Sequence, residues 1–290
     1  MTTLARAPGA TIFAEGLDHP EGVAVAPDGD LWAGGEEGQI YVVTPTGEVR
    51  EHARIGGFSG GLAFDRAGAC FVCNAPGRVI RVAPDGRWET FADAVGGVPL
   101  RAPNFPVFGP DGSLYVSDSG SWEAADGVID RFAPDGSGET FHFGPFHYPN
   151  GLAMDPAGEY LYVVESGRHR VIRLRIADGG AAVAEPLGPP AALEWVPDGL
   201  ALDALGRLYV TMYASDRIYR LDSTARLEVI AEDPLGMTLN RPTNCAFGGP
   251  ALDRLFVANL GGRHLAVIEL DTPGQALFGG PGSGREADPS

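Results

Sequence analysis

The sequence contains no lysine, so all 21 of its basic residues are arginines. This absence excludes enzymes that form a Schiff base through a lysine and nucleotide-binding proteins that need a phosphate-loop lysine. The 38 acidic residues outnumber the arginines and give a net charge of −17, so neither a nucleic-acid nor a membrane partner is expected. No apolar run reaches the roughly 18 residues of a membrane span, and the N-terminus lacks an apolar signal core. We therefore expect a soluble cytoplasmic protein that acts on a small molecule.

Cysteine is also scarce, with three residues in the chain. Cys70 and Cys73 lie three positions apart in an apolar segment that is typical of a strand. Successive strand side chains point to opposite faces, so these two cysteines are predicted to point apart. They fit buried apolar positions better than a zinc site or a disulfide framework.

Glycine and proline, with 42 and 24 residues, indicate many turns, and no long segment shows helical periodicity. A short block recurs six times at intervals of 39 to 48 residues. Each copy is an inner apolar run followed by an Asp-Gly or related turn. The blocks begin at Glu21, Gly60, Asn104, Asn150, Asp198 and Thr243. A repeat of this length indicates a fold built from six similar units.

Two further apolar runs and a less regular fourth segment follow each block, which makes about 45 residues per unit. Four short strands per unit are typical of a β-propeller blade, so the sequence predicts an all-β six-bladed propeller with four-stranded antiparallel blades. We expect one propeller domain over residues 1–275 and a flexible tail over 276–290. The apolar segment 11–14 precedes the first block and is expected to add the outer strand of the last blade.

A propeller places the first strand of every blade around a central channel, so the residues that open the six blocks should form a ring. Two of them are carboxylates and two are carboxamides, and no cationic side chain is among them. Clustered carboxylates lose solvation and repel one another unless a cation lies between them. The oxygen ligands favour one divalent cation, with Ca²⁺ preferred and Mg²⁺, Mn²⁺ or Zn²⁺ as alternatives. The other interpretation is that Asn and Asp open the blocks only as turn residues after proline.

The segments around these residues resemble the senescence-marker-protein, gluconolactonase and luciferin-regenerating-enzyme family of six-bladed propellers. The resemblance covers about residues 10–272 and lies in Pro20-Glu21-Gly22, in Asn104 before Pro110-Asp111-Gly112, in Pro149-Asn150-Gly151 and in Pro197-Asp198-Gly199. It implies a single divalent metal held by Glu21, Asn104, Asn150 and Asp198, with Asp198 as the general base. The family often places a substrate-binding arginine two residues before the second ligand, whereas Arg101 lies three residues before Asn104.

The loops at the channel mouth are expected to select the substrate. The longest is 117–127, which we interpret as a wall or lid over the metal or, alternatively, as a solvated loop. The predicted substrate-binding residues are Arg101, Phe105, Asp118, Trp122, His147 and Tyr213.

These features predict a metal-dependent hydrolase of a cyclic ester, a sugar lactone or a related lactone. The alternatives are a phosphoesterase or an isomerase or cyclase on the same metal site, and a non-catalytic propeller that binds a ligand. A serine hydrolase is disfavoured, because the G-x-S-x-G match at 57–61 runs into a repeat strand where a nucleophile elbow needs a helix.

Overall fold

Six four-stranded antiparallel sheets make up the computed structural model, which describes residues 9–177, 180–187, 195–224 and 226–278. Their inner strands contact one another in succession, and the last inner strand contacts the first, so the ring is closed. The predicted all-β six-bladed propeller is confirmed.

The strands follow the repeat. A first strand precedes the blades, and blades one to three follow: β1 (Thr11–Glu15); β2 (Val23–Val25), β3 (Leu31–Gly34), β4 (Gln39–Val43), β5 (Val49–Arg54); β6 (Ser59–Phe64), β7 (Cys70–Asn74), β8 (Arg78–Val82), β9 (Trp88–Ala92); a small hairpin of β10 (Ala94–Val95) and β11 (Val98–Pro99); β12 (Pro103–Phe108), β13 (Leu114–Asp118), β14 (Gly127–Phe132), β15 (Gly138–Phe146). Blades four to six follow: β16 (Pro149–Met154), β17 (Tyr160–Glu165), a 3₁₀ turn (Ser166–Arg168), β18 (Arg170–Ala177), β19 (Gly180–Leu187); β20 (Pro197–Leu202), β21 (Leu208–Met212), β22 (Arg217–Leu221), β23 (Leu227–Glu232); β24 (Pro242–Gly248), β25 (Arg254–Asn259), β26 (His264–Glu269).

The segment before the first block closes the ring, as the sequence pattern predicted. Strand β1 pairs antiparallel with β26 and completes the sheet of blade six, so the two ends of the propeller share one blade. This pairing covers the open edge of β26, which would otherwise expose unpaired backbone groups.

Apolar clusters between neighbouring blades form the core. Cys70 packs with Ile80 and Val82 in one cluster, and Cys73 packs with Val79 and Leu114 in another. The two thiols are buried on opposite faces of β7, as the strand spacing predicted.

Inner strands approach one another closely because small residues stand at the blade junctions. A Cβ at Gly151 would lie 2.5 Å from the Asp198 carbonyl oxygen and 2.6 Å from Gly199 Cα, both in the backbone of the next blade. Only glycine fits there without moving β20.

The first prediction follows from this contact. Gly151→Ala should destabilise the protein by about 3 kcal/mol, because the blades must separate to admit the methyl group. Thermal unfolding measures the effect. Gly9→Ala is the control, since a Cβ at Gly9 meets nothing within 4 Å and should leave the melting temperature unchanged. Equal melting temperatures for the two variants would contradict the tight junction.

The far end of the channel holds an apolar cavity of about 280 Å³ that is lined by the inner strands and by residues 275–278. Gln275 donates a hydrogen bond from its backbone N–H to the Leu202 carbonyl oxygen and one from its amide to that of Met154. The Phe278 ring stacks on Phe108 at 5.4 Å. Residues 276–278, which we assigned to the tail, thus lie against the propeller, and the rest of the predicted tail lies outside the described residues.

Across the parts of the chain that the structure describes, no helix is long and apolar enough to cross a membrane.

Candidate metal centre

The residues that open the inner strands stand at irregular points of the strand ladders. Each of β6, β12, β16, β20 and β24 shifts its register by one residue near its first position, for example between Pro149 and Leu152. A bulge of this kind releases a residue from the ladder and re-aims its side chain. Asn104, Asn150 and Asp198 all lie within these shifts, so the same irregularity turns each of them out of its sheet.

Hydroxyl groups hold the backbone of this ring from one blade to the next. Ser117 Oγ donates to the Asn150 carbonyl oxygen, Ser166 Oγ to that of Pro197 and Thr243 Oγ1 to that of Glu21, each at 2.7 Å. The donors are buried, so these bonds are shielded from water. They fix the backbone from which the side chains of the ring project.

Glu21 and Asp198 form a buried pair of carboxyl groups, each only 6% exposed. Burial raises the pKa of Glu21 to about 7. Burial also raises the pKa of Asp198 well above its usual range, and the negative charge of Glu21 raises it further. The two carboxyl groups therefore lie close enough to repel each other, although their residues are far apart in the chain.

Four buried side-chain oxygens of the ring have no hydrogen-bond partner among the described residues: Glu21 Oε2, Asn104 Oδ1, Asn150 Oδ1 and Asp198 Oδ1. The amide of Asn150 donates from Nδ2 to Ser166 Oγ at 3.3 Å, which leaves its oxygen free. Buried polar atoms without partners are costly, so four such oxygens at equivalent positions of the repeat call for a ligand.

This donor set fits a hard divalent cation. All four atoms are oxygens, two of them carry negative charge when ionised, and no arginine forms an ion pair with Glu21 or Asp198 in the described part of the chain. Carboxylate and amide oxygens are preferred ligands of Ca²⁺, and Mg²⁺ and Mn²⁺ also bind such oxygens. Half of the donors are amides, so the site does not stand out as a cluster of His, Cys, Asp and Glu residues.

Asn244 is a further polar residue of this region that the repeat pattern did not single out. It is fully buried, and neither its amide nitrogen nor its oxygen has a hydrogen-bond partner within the described segments. It lies against Gly199, beside Asp198. The only sequence signal was its place directly after Thr243 in the sixth block.

Ser59, the serine of the G-x-S-x-G match, lies in strand β6 and is fully buried. A nucleophile elbow needs a helix after the serine, and a strand at this position therefore disfavours one.

Three predicted substrate residues meet in the loop over residues 119–126. Arg101 donates from its guanidinium to Asp126 Oδ2 at 2.6 Å and also to the Asp126 carbonyl oxygen. His147 donates from Nε2 to the Trp122 carbonyl oxygen at 2.7 Å. Blades three and four thus hold this loop between them.

Asp118 lies beneath the same loop and is buried. Its two carboxylate oxygens accept hydrogen bonds from the backbone N–H groups of Arg101 and Ala102, each at 2.8 Å. Its contacts are with the chain that leads into β12.

The remaining two predicted substrate residues lie outside this loop. Phe105 is buried in the core of blades three and four, with Phe146 and Leu152. Tyr213 is half-buried on blade five, and the Arg241 guanidinium lies 5.8 Å from the centre of its ring.

Tyr148 is a further aromatic residue of this region. It adopts φ 58° immediately before Pro149, and its ring meets that of Trp122 edge-on with the centroids 4.9 Å apart. Burial raises the pKa of its phenol, and the charges of Asp198 and Glu21 raise it further. Its position two residues before Asn150 was the available sequence signal.

A second acidic group surrounds His19 on blade one. His19 Nδ1 lies 3.1 Å from Asp18 Oδ1 and 3.2 Å from Glu36 Oε2, and Gln39 donates to the other oxygen of Asp18. These side chains contact one another within the loop.

Known proteins resemble this chain in sequence. The chain is 33% identical over 110 residues to an uncharacterised protein of Sulfolobus acidocaldarius, a match that spans 37% of this chain and 39% of that protein. It is 25% identical over 239 residues to the pentonolactonase XacC of Haloferax volcanii, across 80% of this chain and 77% of the relative.

Among solved structures, the gluconolactonase XC5397 of Xanthomonas campestris superposes with a TM-score of 0.78 at 22% identity, covering 94% of this chain and 93% of the other. The calcium-binding protein regucalcin of Agrobacterium tumefaciens gives a TM-score of 0.79 at 20% identity, covering 96% and 99%. At these identities the likeness concerns the fold. The family model described as the SMP-30/gluconolactonase/LRE-like region matches residues 20–260, which is most of the propeller, and the chain therefore belongs to this family.

Proposed function

We propose that this protein hydrolyses a lactone with the help of one divalent cation held by Glu21, Asn104, Asn150 and Asp198. The observation that carries the proposal is the set of four buried, unpartnered oxygens at repeat-equivalent positions, with two carboxyl groups that raise each other's charge cost among them. The names of related proteins, a pentonolactonase and a gluconolactonase, support the reaction class.

When bound, the cation would supply a Lewis acid that polarises the ester carbonyl and neutralises both carboxylates, with Ca²⁺ the preferred ion. Asp198 acts as the general base that takes the proton from the attacking water. The same carboxyl group then returns this proton to the alkoxide that leaves when the ring opens. Asn150 keeps its oxygen turned inward because its Nδ2 is occupied by Ser166.

To test the proposal, the protein is freed of metal with EDTA, and each cation is then added back in turn. We expect acid release from glucono-δ-lactone or δ-valerolactone, followed in a pH-stat, to disappear with EDTA and to return with Ca²⁺, Mn²⁺ or Mg²⁺. Glu21→Gln should require more cation for half-maximal rate, because it removes one of the two negative ligands.

Three outcomes separate the alternatives. Hydrolysis of p-nitrophenyl phosphate without lactone hydrolysis would favour the phosphoesterase. Calorimetric binding of Ca²⁺ with no turnover of any ester would favour the non-catalytic propeller. Full lactonase activity in EDTA would overturn the metal-dependent mechanism.

A further inference from the structure

We propose that the loop 119–126 is a fixed aromatic wall over the cation site, and that the lactone accepted there carries a hydrocarbon substituent rather than a row of hydroxyl groups. This inference rests on the proposed lactonase function and names the class of its substrate.

The first observation is that the polar side chains expected to bind substrate are used by the protein itself. The guanidinium of Arg101 is bonded to Asp126, both oxygens of Asp118 accept backbone N–H groups, and the imidazole of His147 donates to the Trp122 carbonyl. Asp126 is in turn fixed by the backbone N–H of Ser121, which bonds to its Oδ1 at 2.9 Å. A polyhydroxylated substrate needs several free polar groups at its site, because each hydroxyl must exchange water for a protein partner.

The second observation is that these hydrogen bonds fix the position of Trp122 in the loop. They hold the loop at both of its sides, through Arg101 of blade three and His147 of blade four, so the position of Trp122 is set by two independent contacts. The Trp122 side chain remains 44% exposed, and its ring meets that of Tyr148, which lies two residues before Asn150. Ser119, at the start of the loop, donates a hydrogen bond from its Oγ to the carbonyl oxygen of Pro149, the neighbour of Asn150. Two aromatic rings therefore contribute to the surface next to Asn150.

Aromatic rings in this arrangement bind apolar groups by area and shape. A lactone carbonyl directed at the ring of oxygens would leave its substituent against Trp122 and Tyr148. In this assignment Arg101 is a positioning residue, which acts on the substrate through the loop.

The test compares dihydrocoumarin and δ-decalactone with glucono-δ-lactone, using the Ca²⁺-loaded full chain. We expect kcat/KM to be at least about tenfold higher for the two hydrocarbon lactones. Trp122→Ala should lower their kcat/KM by about tenfold and change that of glucono-δ-lactone by less than about twofold. Trp88→Ala is the matched control, because Trp88 is also 44% exposed but lies on the outer strand β9, and it should change neither.

Asp126→Asn separates positioning from direct binding by Arg101. If Arg101 only holds the loop, this variant raises KM for dihydrocoumarin, leaves kcat unchanged and does not improve the use of glucono-δ-lactone. If Arg101 binds substrate, its release lowers KM for glucono-δ-lactone, which would overturn the proposal. A wild-type preference for glucono-δ-lactone would overturn it as well.

Failure of the lactonase function has a different signature, namely no hydrolysis of any of the three lactones. In that case binding of the unreactive lactam 3,4-dihydro-2-quinolinone, followed by calorimetry, still tests the aromatic wall. Tighter binding of this lactam than of gluconolactam, lost in Trp122→Ala and retained in Trp88→Ala, supports the wall, and equal binding of the two lactams refutes it.

Discussion

Replacement of Asp198 by asparagine is expected to lower kcat for lactone hydrolysis by about 10²- to 10⁴-fold at saturating cation, the usual contribution of a general base. Asparagine keeps the size of the side chain and one oxygen for the cation, but it cannot take a proton from water. The loss should persist however much Ca²⁺ is added. Steady-state kinetics over a cation titration measure it.

Glu21→Gln is the matched comparison, because it removes the other carboxylate of the same buried pair by an equally conservative change. Its main effect should be on cation affinity, so saturating Ca²⁺ should restore most of kcat. If both variants lose kcat to the same extent under saturation, Asp198 acts as a ligand alone and the base assignment is wrong.

The cation-free protein is expected to lose stability as the pH rises from about 4.5 to about 7. The folded-state pKa of Glu21 is raised from 4.5 to about 7, and that of Asp198 is also raised, so in this window the folded chain binds more protons than the unfolded chain. For Glu21 alone the shift corresponds to about 3 kcal/mol of unfolding free energy, which is fully present below pH 4.5 and lost above pH 7.

Bound Ca²⁺ should reverse this trend, because it requires both carboxyl groups in their ionised form. The gain in melting temperature on adding Ca²⁺ should therefore grow with pH and become small at pH 5. Thermal unfolding at several pH values, in EDTA and in excess Ca²⁺, measures both effects.

The double variant Glu21→Gln, Asp198→Asn is the control for every other titrating group, since it lacks only this pair. Its cation-free form should become more stable than the wild type as the pH rises above 7, because neutral amides replace carboxyl groups that ionise in that range. A wild type that remains as stable as the double variant above pH 7 without cation would show that the pair is solvated rather than buried.

The sequence by itself determined the repeat and, through it, most of the fold. Block spacing and strand alternation indicated six blades, the strand that closes the ring and the opposed burial of Cys70 and Cys73, all of which the sheet pairing and core clusters bear out. These features are predictable because each depends on a local pattern that every unit repeats. The pattern also picked out the ring positions, since equivalent residues of a repeat occupy equivalent places.

The tertiary structure alone decided how the loops use their side chains. It placed Phe105 in the core and Arg101 on Asp126, and it brought the rings of Tyr148 and Trp122 into contact. No periodicity encodes these contacts, because each joins residues of different loops or blades whose approach is set by packing around the whole ring. Whether Arg101 meets a substrate or a carboxylate of its own chain depends on a partner 25 positions away, and only the folded ring brings the two together.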